Sequence, residues 1–353
     1  MHVPDGFLDA PTSLATGALA ATTLTVAIRR VRDQHEEKAA PLAGLTAAFV
    51  FAVQMINFPV GIGTSGHLLG GALAAILVGP WTAILCMSVV LLVQALLFAD
   101  GGLTALGTNI TLMGVVTVLV GWGVARLVLR VLPRRPASAV PASFVAALVS
   151  VPAAALGFVG LYAIGGAADL SLGALAVSMV GWHLLIGLGE AVITAATVSA
   201  VIAVRPDLVF AARGLQPALE LRGPGAPRRG PGALLPAPVA APPASPRGSV
   251  RPVLLIGGAV ALLLAGVVSV FASSSPDGLE HVAGEKGFLE TARAHLLADL
   301  PLADYGKVGG IPVGLAGILG VVVTITIGWL LLRLVARRRT RPVAEPARSA
   351  ERV

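Results

Sequence analysis

The sequence has little cysteine, few aromatic residues and little charge, and each shortage excludes a class of protein. One cysteine, Cys86, lies in an apolar run, which excludes an internal disulfide and a cysteine-based metal cluster. Aromatic residues make up only 5% of the chain, and no basic stretch is interleaved with them. The net charge of +7 therefore does not indicate a nucleic-acid partner. A GxxxxGKS/T phosphate loop is also absent, which excludes ATP hydrolysis by that route.

Long apolar runs dominate the 353 residues instead. Hydrophobic residues make up 56% of the chain, charged residues 12%, and the mean hydropathy is +0.88, values typical of an integral membrane protein. A bilayer span needs about 20 mostly apolar residues. We predict an all-α integral membrane protein with a seven-span core and a C-terminal two-span hairpin. The predicted spans cover about 12–28, 39–60, 68–78, 81–99, 106–129, 141–164, 172–203, 252–272 and 311–335.

Composition divides the chain into four parts. Residues 1–205 form the predicted core. Residues 206–251 are so rich in Pro, Gly, Ala and Arg that we predict a disordered cytoplasmic linker. Residues 252–340 form the predicted two-span domain, whose spans are joined by a long polar segment, and residues 341–353 form a cytoplasmic tail.

The arginines indicate the orientation of the chain in the membrane. They follow the first, fifth and seventh spans, whereas segments 1–11, 61–67, 100–105 and 165–171 carry no Lys or Arg. By the positive-inside rule, the N-terminus lies outside, the C-terminus lies in the cytoplasm, and His67 lies on the outer face. The first residues also lack the basic segment of a secretory signal, so we expect an uncleaved N-terminus.

Three residues on this outer face form a candidate metal site: Met1, His2 and His67. The amine of Met1, the backbone nitrogen of His2 and the His2 ring would close two chelate rings in one plane, and the His67 ring would complete a set of four nitrogens. Planar nitrogen coordination suits Ni(II) or Cu(II), and imidazole also suits cobalt and zinc. Because the amide must lose its proton, binding should weaken at low pH. A single histidine at either position is usually not a metal ligand. The prediction therefore depends on both histidines lying on the same face of the membrane.

Several polar residues near this site are candidates for supporting roles. Gln54 and Asn57 close the second span near His67, Ser65 lies in the same loop, and Asn109 follows a glycine-rich segment. A ligating imidazole usually needs an outer hydrogen-bond partner, which these side chains would supply. Hydrogen bonding between helices is an equally good explanation for Gln54 and Asn57.

Further ionisable residues have two explanations each. His183 and Glu190 are seven residues apart on one face of the seventh span, so they form either a relay for ions or protons or a satisfied interhelical pair. A proton-driven carrier would use the relay. Ser65, in a GxSG tetrapeptide, together with His183 would suit an intramembrane serine protease. Asp100 is expected to cap the fifth span rather than to attract cations.

The polar segment between the last two spans contains acidic residues and a histidine that are candidates for metal contact. We expect a solvated loop there instead, as is usual for charged segments. The candidates are Asp277, Glu280, His281 and Glu285.

Four segments resemble the cobalt/nickel membrane subunits of energy-coupling-factor transporters, the CbiM/NikM family: MHVPDGFL, GTSGHLLGG, GGLTALGTN and WHLLIGLGEA. This resemblance covers about residues 1–205. The segment SPDGLEHVAGEKGF resembles the PDGLE-type small partner subunit (NikN/CbiN-like), here fused over about residues 252–335.

The resemblance implies a substrate-binding component with an S-component-like fold in a prokaryotic plasma membrane. It implies that Met1, His2 and His67 hold a transported Co²⁺ or Ni²⁺ ion, with no resident cofactor. It also implies a scaffold membrane subunit (CbiQ/NikQ-like) and ATPase subunits (CbiO/NikO-like) as partners, so the chain itself would not be an enzyme.

Overall fold

The computed structural model describes residues 1–33, 39–215, 249–303, 305 and 310–337. Most of the predicted linker and the whole predicted tail lie outside the described residues. The chain is mostly helical, which confirms the predicted class. Its elements are α1 (Ala10–Asp33), α2 (Ala39–Gln54), β1 (Phe58–Gly61), β2 (Thr64–Gly66), α3 (Gly71–Val78), α4 (Pro80–Leu97), α5 (Leu106–Asn109), a π-helical segment (Ile110–Val116), α6 (Thr117–Val131), α7 (Ala139–Gly165), α8 (Leu172–Val204), α9 (Arg251–Gly266), α10 (Gly278–Lys286) and α11 (Val313–Arg337).

Within the described ranges, seven helices are long and apolar enough to cross a membrane. The π-helical segment joins α5 and α6 into one of them, Leu106–Val131. The other six contain α1, α4, α7, α8, α9 and α11. The chain is therefore a multi-pass membrane protein.

The second and third predicted spans are shorter than the sequence suggested. Helix α2 has 16 residues, a length of about 24 Å against the roughly 30 Å of a hydrocarbon core. Helix α3 has eight residues, and six of them are buried. Many of their apolar side chains pack against other helices. Hydropathy counts these side chains as if they faced lipid, so it overestimated the lengths of the two spans. Residues 58–66, predicted as the end of a span and a loop, form the small antiparallel hairpin β1–β2.

The predicted turn at Gly79-Pro80 separates α3 from α4. Gly79 has φ +83°, a conformation that favours glycine, and Pro80 begins the next helix. The ring of Phe210 packs against Gly79. Residues 206–215 therefore differ from the prediction of a disordered linker, because Val209 and Ala212 are buried in the core.

The two C-terminal helices pack onto the core. Helices α9 and α11 contact one another where Gly314 and Gly317 face the backbone of Ala265 and Gly266. On the other side, α11 lies against Gly44 of α2, with Trp329 beside that glycine. Small residues at these contacts let the helix backbones approach closely. The C-terminal domain thus covers one side of α2.

Three distant parts of the chain meet at one end of the helix bundle: residues 1–9, the β1–β2 hairpin and the segment 273–293. The rings of Phe7 and Phe288 are 5.0 Å apart in an edge-to-face arrangement. Ser273 donates a backbone hydrogen bond to Asn57, just before the hairpin. The N-terminal residues therefore lie between the core and the C-terminal domain.

Candidate metal centre

The amine of Met1 lies against the ring of His67. The distance from Met1 N to His67 Nε2 is 2.6 Å, and both residues are buried, at 2% and 5% exposure. His67 Nδ1 lies 2.9 Å from the carbonyl oxygen of Leu68, which only accepts hydrogen bonds. The ring proton is therefore on Nδ1, and the lone pair of Nε2 faces the amine.

His2 brings a second imidazole to the same place. Its ring centroid is 5.0 Å from that of His67. Its Nδ1 is buried and has no hydrogen-bond partner among the described residues, with Asp100 Oδ1 at 3.7 Å. Burial lowers the pKa of His2 to about 4, although the charge of Asp100 opposes this shift. The ring is therefore neutral at pH 7, and a neutral imidazole has one nitrogen available to a metal ion.

This nitrogen set fits a small divalent cation. Adjacent ligands of a square plane with bonds of about 2.0 Å are about 2.8 Å apart. The separation of 2.6 Å between Met1 N and His67 Nε2 is close to that value. In the part of the chain that the structure describes, no group of three or more His, Cys, Asp or Glu side chains is close enough to hold a metal ion without main-chain donors. The amine of Met1 and the backbone nitrogen of His2 are main-chain nitrogens beside the two imidazoles.

Asn109 holds the N-terminal segment in place. Its Oδ1 accepts a hydrogen bond from Val3 N at 2.8 Å, and its Nδ2 donates to Val3 O at 3.1 Å. Gly102 N also donates to Val3 O. Gly101 has φ +82°, and a Cβ there would lie 2.8 Å from Asn109 Nδ2. Asn109, a predicted support for the histidine loop, instead fixes the residue after His2.

The loop after His67 is held by two buried side chains. The carboxyl of Glu190 accepts hydrogen bonds from Leu69 N at 2.6 Å and Gly70 N at 3.1 Å. Gln54 Nε2 donates to Leu69 O at 2.7 Å, and Gln94 Nε2 donates to Gln54 Oε1. Gln54 therefore bonds the loop backbone and a neighbouring helix but not the imidazole, so both explanations given for it remain open.

The two residues of the predicted relay on α8, His183 and Glu190, make separate contacts. Glu190 and His183 are both fully buried, as their shared helix face requires. Both oxygens of Glu190 bind the loop backbone. His183 Nδ1 bonds to Met179 O, and its Nε2 has no partner in the described ranges. The structure shows no hydrogen-bonded relay through these two residues.

Ser65 joins the hairpin to the C-terminal domain. Its hydroxyl donates to Ser275 O at 2.7 Å, and its backbone nitrogen donates to Pro276 O at 2.9 Å. It is therefore not paired with His183, and the arrangement of a serine protease is not formed. Asn57 accepts the Ser273 hydrogen bond through its backbone oxygen and lines the cavity beside the histidines.

The expected capping role of Asp100 is wrong. No side chain caps α5, whose N-terminal boundary residue is Ala105. The carboxylate of Asp100 instead faces the His2 ring. A turn separates Asp100 from α5, so the carboxylate is free to face the site.

Asp277 is the residue at this site that the sequence assigned to a solvated loop. Its Oδ2 accepts a hydrogen bond from Met1 N at 2.6 Å and lies 3.6 Å from His67 Nε2. Burial would raise the pKa of Asp277, but the positive charge of the Met1 ammonium, 2.6 Å away, holds it well below its usual range. Among local signals, only the helix-capping pattern Asp-Gly-Leu-Glu marks this residue, and that pattern does not reveal a contact across the chain.

A cavity of about 830 Å³ opens beside the two histidines. The other three candidates of the polar segment, Glu280, His281 and Glu285, line it together with His2 and His67. The ring of His281 packs edge to face on Trp182. These residues line the cavity, whereas Asp277 alone among the four contacts a candidate ligand directly.

Known proteins match both parts of the chain. A family model described as the cobalt uptake substrate-specific transmembrane region, CbiM, matches residues 2–208, and a PDGLE domain model matches residues 251–337. A putative metal transport protein of Haloquadratum walsbyi is 40% identical over 210 residues, which are 60% of this chain and 94% of that protein. A putative fused nickel transport protein NikMN of Archaeoglobus fulgidus is 43% identical over 211 residues, covering 59% of this chain and 68% of the relative.

A solved structure has the same fold over the core. The crystal structure of a transition metal transporter is 33% identical in sequence, with a TM-score of 0.52. The match covers 58% of this chain and 93% of that chain.

Proposed function

Because the chain belongs to the CbiM family of cobalt uptake transmembrane components and carries a fused PDGLE domain, we propose that it captures Co²⁺ or Ni²⁺ at its N-terminus. The ligands are the amine of Met1, the backbone nitrogen and ring of His2, and the ring of His67. The observation that carries this proposal is the buried contact of 2.6 Å between Met1 N and His67 Nε2, beside the unpartnered Nδ1 of His2.

Each ligand has a defined role in this proposal. The amine and the His2 amide nitrogen close a five-membered chelate ring, and the amide nitrogen and His2 Nδ1 close a six-membered ring. His67 Nε2 fills the fourth position. The ammonium and the amide each release one proton when the divalent ion binds, so acid should weaken binding. Asn109 and Glu190 act through the backbone, because they hold Val3 and the loop after His67 in place.

The orientation of the chain in the membrane indicates the direction of transport. The arginines after the first, fifth and seventh predicted spans support an orientation with the metal centre on the outer face of the membrane and the C-terminus in the cytoplasm. The chain has no phosphate loop, so a scaffold membrane subunit and ATPase subunits of the energy-coupling-factor type supply the energy. The ion-loaded chain then delivers its substrate inward through that complex. The chain itself binds metal and performs no chemical reaction.

An extension before Met1 tests the site directly. A fusion that adds residues before Met1 converts the amine into an amide, so the purified protein should lose Ni²⁺ binding in isothermal titration. Removal of the extension with a protease that restores Met1 as the first residue should recover binding. His67→Ala should also lose binding, and His295→Ala, a histidine outside the cavity, should bind as the unchanged protein does.

Unchanged affinity in the extended protein would contradict the chelate. Uptake in cells provides a second criterion, since it should require the ATPase subunits. Transport that persists with a lysine-substituted phosphate loop on the ATPase would contradict the ATP-driven part of the proposal.

A further inference from the structure

The C-terminal domain reaches the candidate metal centre through one carboxylate. Asp277 lies between α9 and α10, and its Oδ2 is 2.6 Å from Met1 N and 3.6 Å from His67 Nε2. The ligand set proposed above leaves this carboxylate without a role. The inference that follows rests on that proposed function and concerns the fused domain.

The three donor atoms are spaced as ligands of one ion. Met1 N, His67 Nε2 and Asp277 Oδ2 are separated from one another by 2.6, 2.6 and 3.6 Å. The circle through them has a radius of about 1.8 Å, so a point about 2.0 Å from all three exists, which matches metal bonds to nitrogen and carboxylate oxygen. An ion held by the two nitrogens can therefore bind Oδ2 with little movement of the three groups.

The structure also fixes the orientation of this carboxylate. Asp277 Oδ1 accepts hydrogen bonds from Leu279 N at 2.8 Å and Glu280 N at 2.9 Å, which caps the start of α10. The preceding residues are tied to Ser65 by two hydrogen bonds to backbone oxygens. Because Oδ1 is used by the helix cap, Oδ2 is directed at the amine and the His67 ring.

Charge balance favours a carboxylate at this position. A divalent cation bound by a neutral amine, two neutral imidazoles and one deprotonated amide gives the site a net charge of +1. Met1 and His67 are almost fully buried, where an uncompensated charge is costly. The carboxylate of Asp277 brings the net charge of the loaded site to zero.

We propose that Asp277 is a metal ligand, so that the C-terminal domain contributes an oxygen donor to the ion held by Met1, His2 and His67. The site then has five protein donors rather than four. A carboxylate oxygen beside the nitrogen plane changes the ligand field of Co²⁺ or Ni²⁺, and therefore the visible absorption spectrum of the loaded protein. The fused domain completes the site rather than only covering it.

The test uses the full chain, purified, with Asp277→Asn. Asparagine keeps the size of the side chain and the oxygen that caps α10, but it removes the charge. We expect the dissociation constants for Ni²⁺ and Co²⁺ to rise by at least about 10-fold, the scale of losses around metal sites, and the absorption spectrum of the bound ion to shift. Asp277→Ser, whose hydroxyl also caps helices and is too short to reach the ion, should behave in the same way.

Glu285→Gln is the matched control. Glu285 is an exposed carboxylate that lines the same cavity, and it contacts Lys286 instead of a ligand. It should change neither the affinity nor the spectrum. If the Asp277 variants unfold at the same temperature as the unchanged protein without metal, and they keep either its affinity or its spectrum, Asp277 is not a ligand. Failure of the unchanged protein to bind either ion would instead contradict the proposed function itself.

Discussion

Glu190 offers a sharp test of how the metal centre is supported. It is fully buried in α8, and its two oxygens accept hydrogen bonds from Leu69 N and Gly70 N, directly after His67. In Glu190→Gln, the amide oxygen can accept one of these bonds, while the NH₂ group faces the other backbone donor. Loss of one buried hydrogen bond, with its backbone donor left unpaired, costs about 2–3 kcal/mol.

If that cost falls on the loop conformation that places His67, metal binding weakens correspondingly. Because about 1.4 kcal/mol is a factor of ten in affinity, the dissociation constant for Ni²⁺ should rise by about 30- to 100-fold. Isothermal titration of the purified variant measures this rise. Thr194→Val is a matched control, since Thr194 is buried one turn further along α8 and its hydroxyl has no partner in the described part of the chain. This control should leave the affinity unchanged.

A relay role for Glu190 predicts a different outcome. A relay residue is needed for movement of the ion, so Glu190→Gln would bind metal normally and fail only in transport. Normal affinity together with lost uptake would therefore refute the idea that Glu190 supports the metal centre. Reduced affinity would show that the carboxyl positions the loop.

Two further predictions concern the N-terminal segment. Asn109→Ala removes both hydrogen bonds to Val3, which are worth about 2 kcal/mol together, so titration should show Ni²⁺ affinity lowered by about 30-fold. Thr108→Val, a neighbouring buried substitution, should not lower the affinity. Equal affinities in both variants would contradict the role of Asn109. His2 has an ordinary pKa of 6.5 and a folded pKa of about 4, so the unfolded chain takes up a proton first as the pH falls between these values. The unfolding temperature of the metal-free protein should therefore fall across that window, more steeply than that of His2→Asn, and parallel curves would contradict the neutral buried ring.

The membrane class and the family could both be predicted from the sequence. Apolar runs are a local property, so the long helices α4, α7, α8 and α11 begin and end near their predicted limits. The turn at Gly79-Pro80 could also be predicted, because glycine permits a positive φ and proline fixes its own φ, and both effects are local. The motif residues Met1, His2 and His67 are likewise short-range patterns, and the structure brings them together; their role as ligands stays a prediction.

The partners of the polar side chains could not be predicted in the same way. Glu190 and Leu69 are separated by 121 positions, and Asp277 and Met1 by 276. No local pattern distinguishes a carboxyl that supports a loop from one that relays protons. For the same reason, Asp100 was assigned to a helix cap and Asp277 to a solvated loop, whereas the structure places both beside the N-terminal residues.

The sequence by itself determined that the chain is a helical membrane protein and which nitrogen donors are available for a metal. The tertiary structure decided which of its apolar helices are enclosed by others, as α2 and α3 are, and which side chains surround the amine of Met1. Hydropathy records how apolar a segment is, whether lipid or protein surrounds it. Burial and hydrogen-bond partners instead depend on contacts between distant segments, and these form only when the whole bundle is assembled.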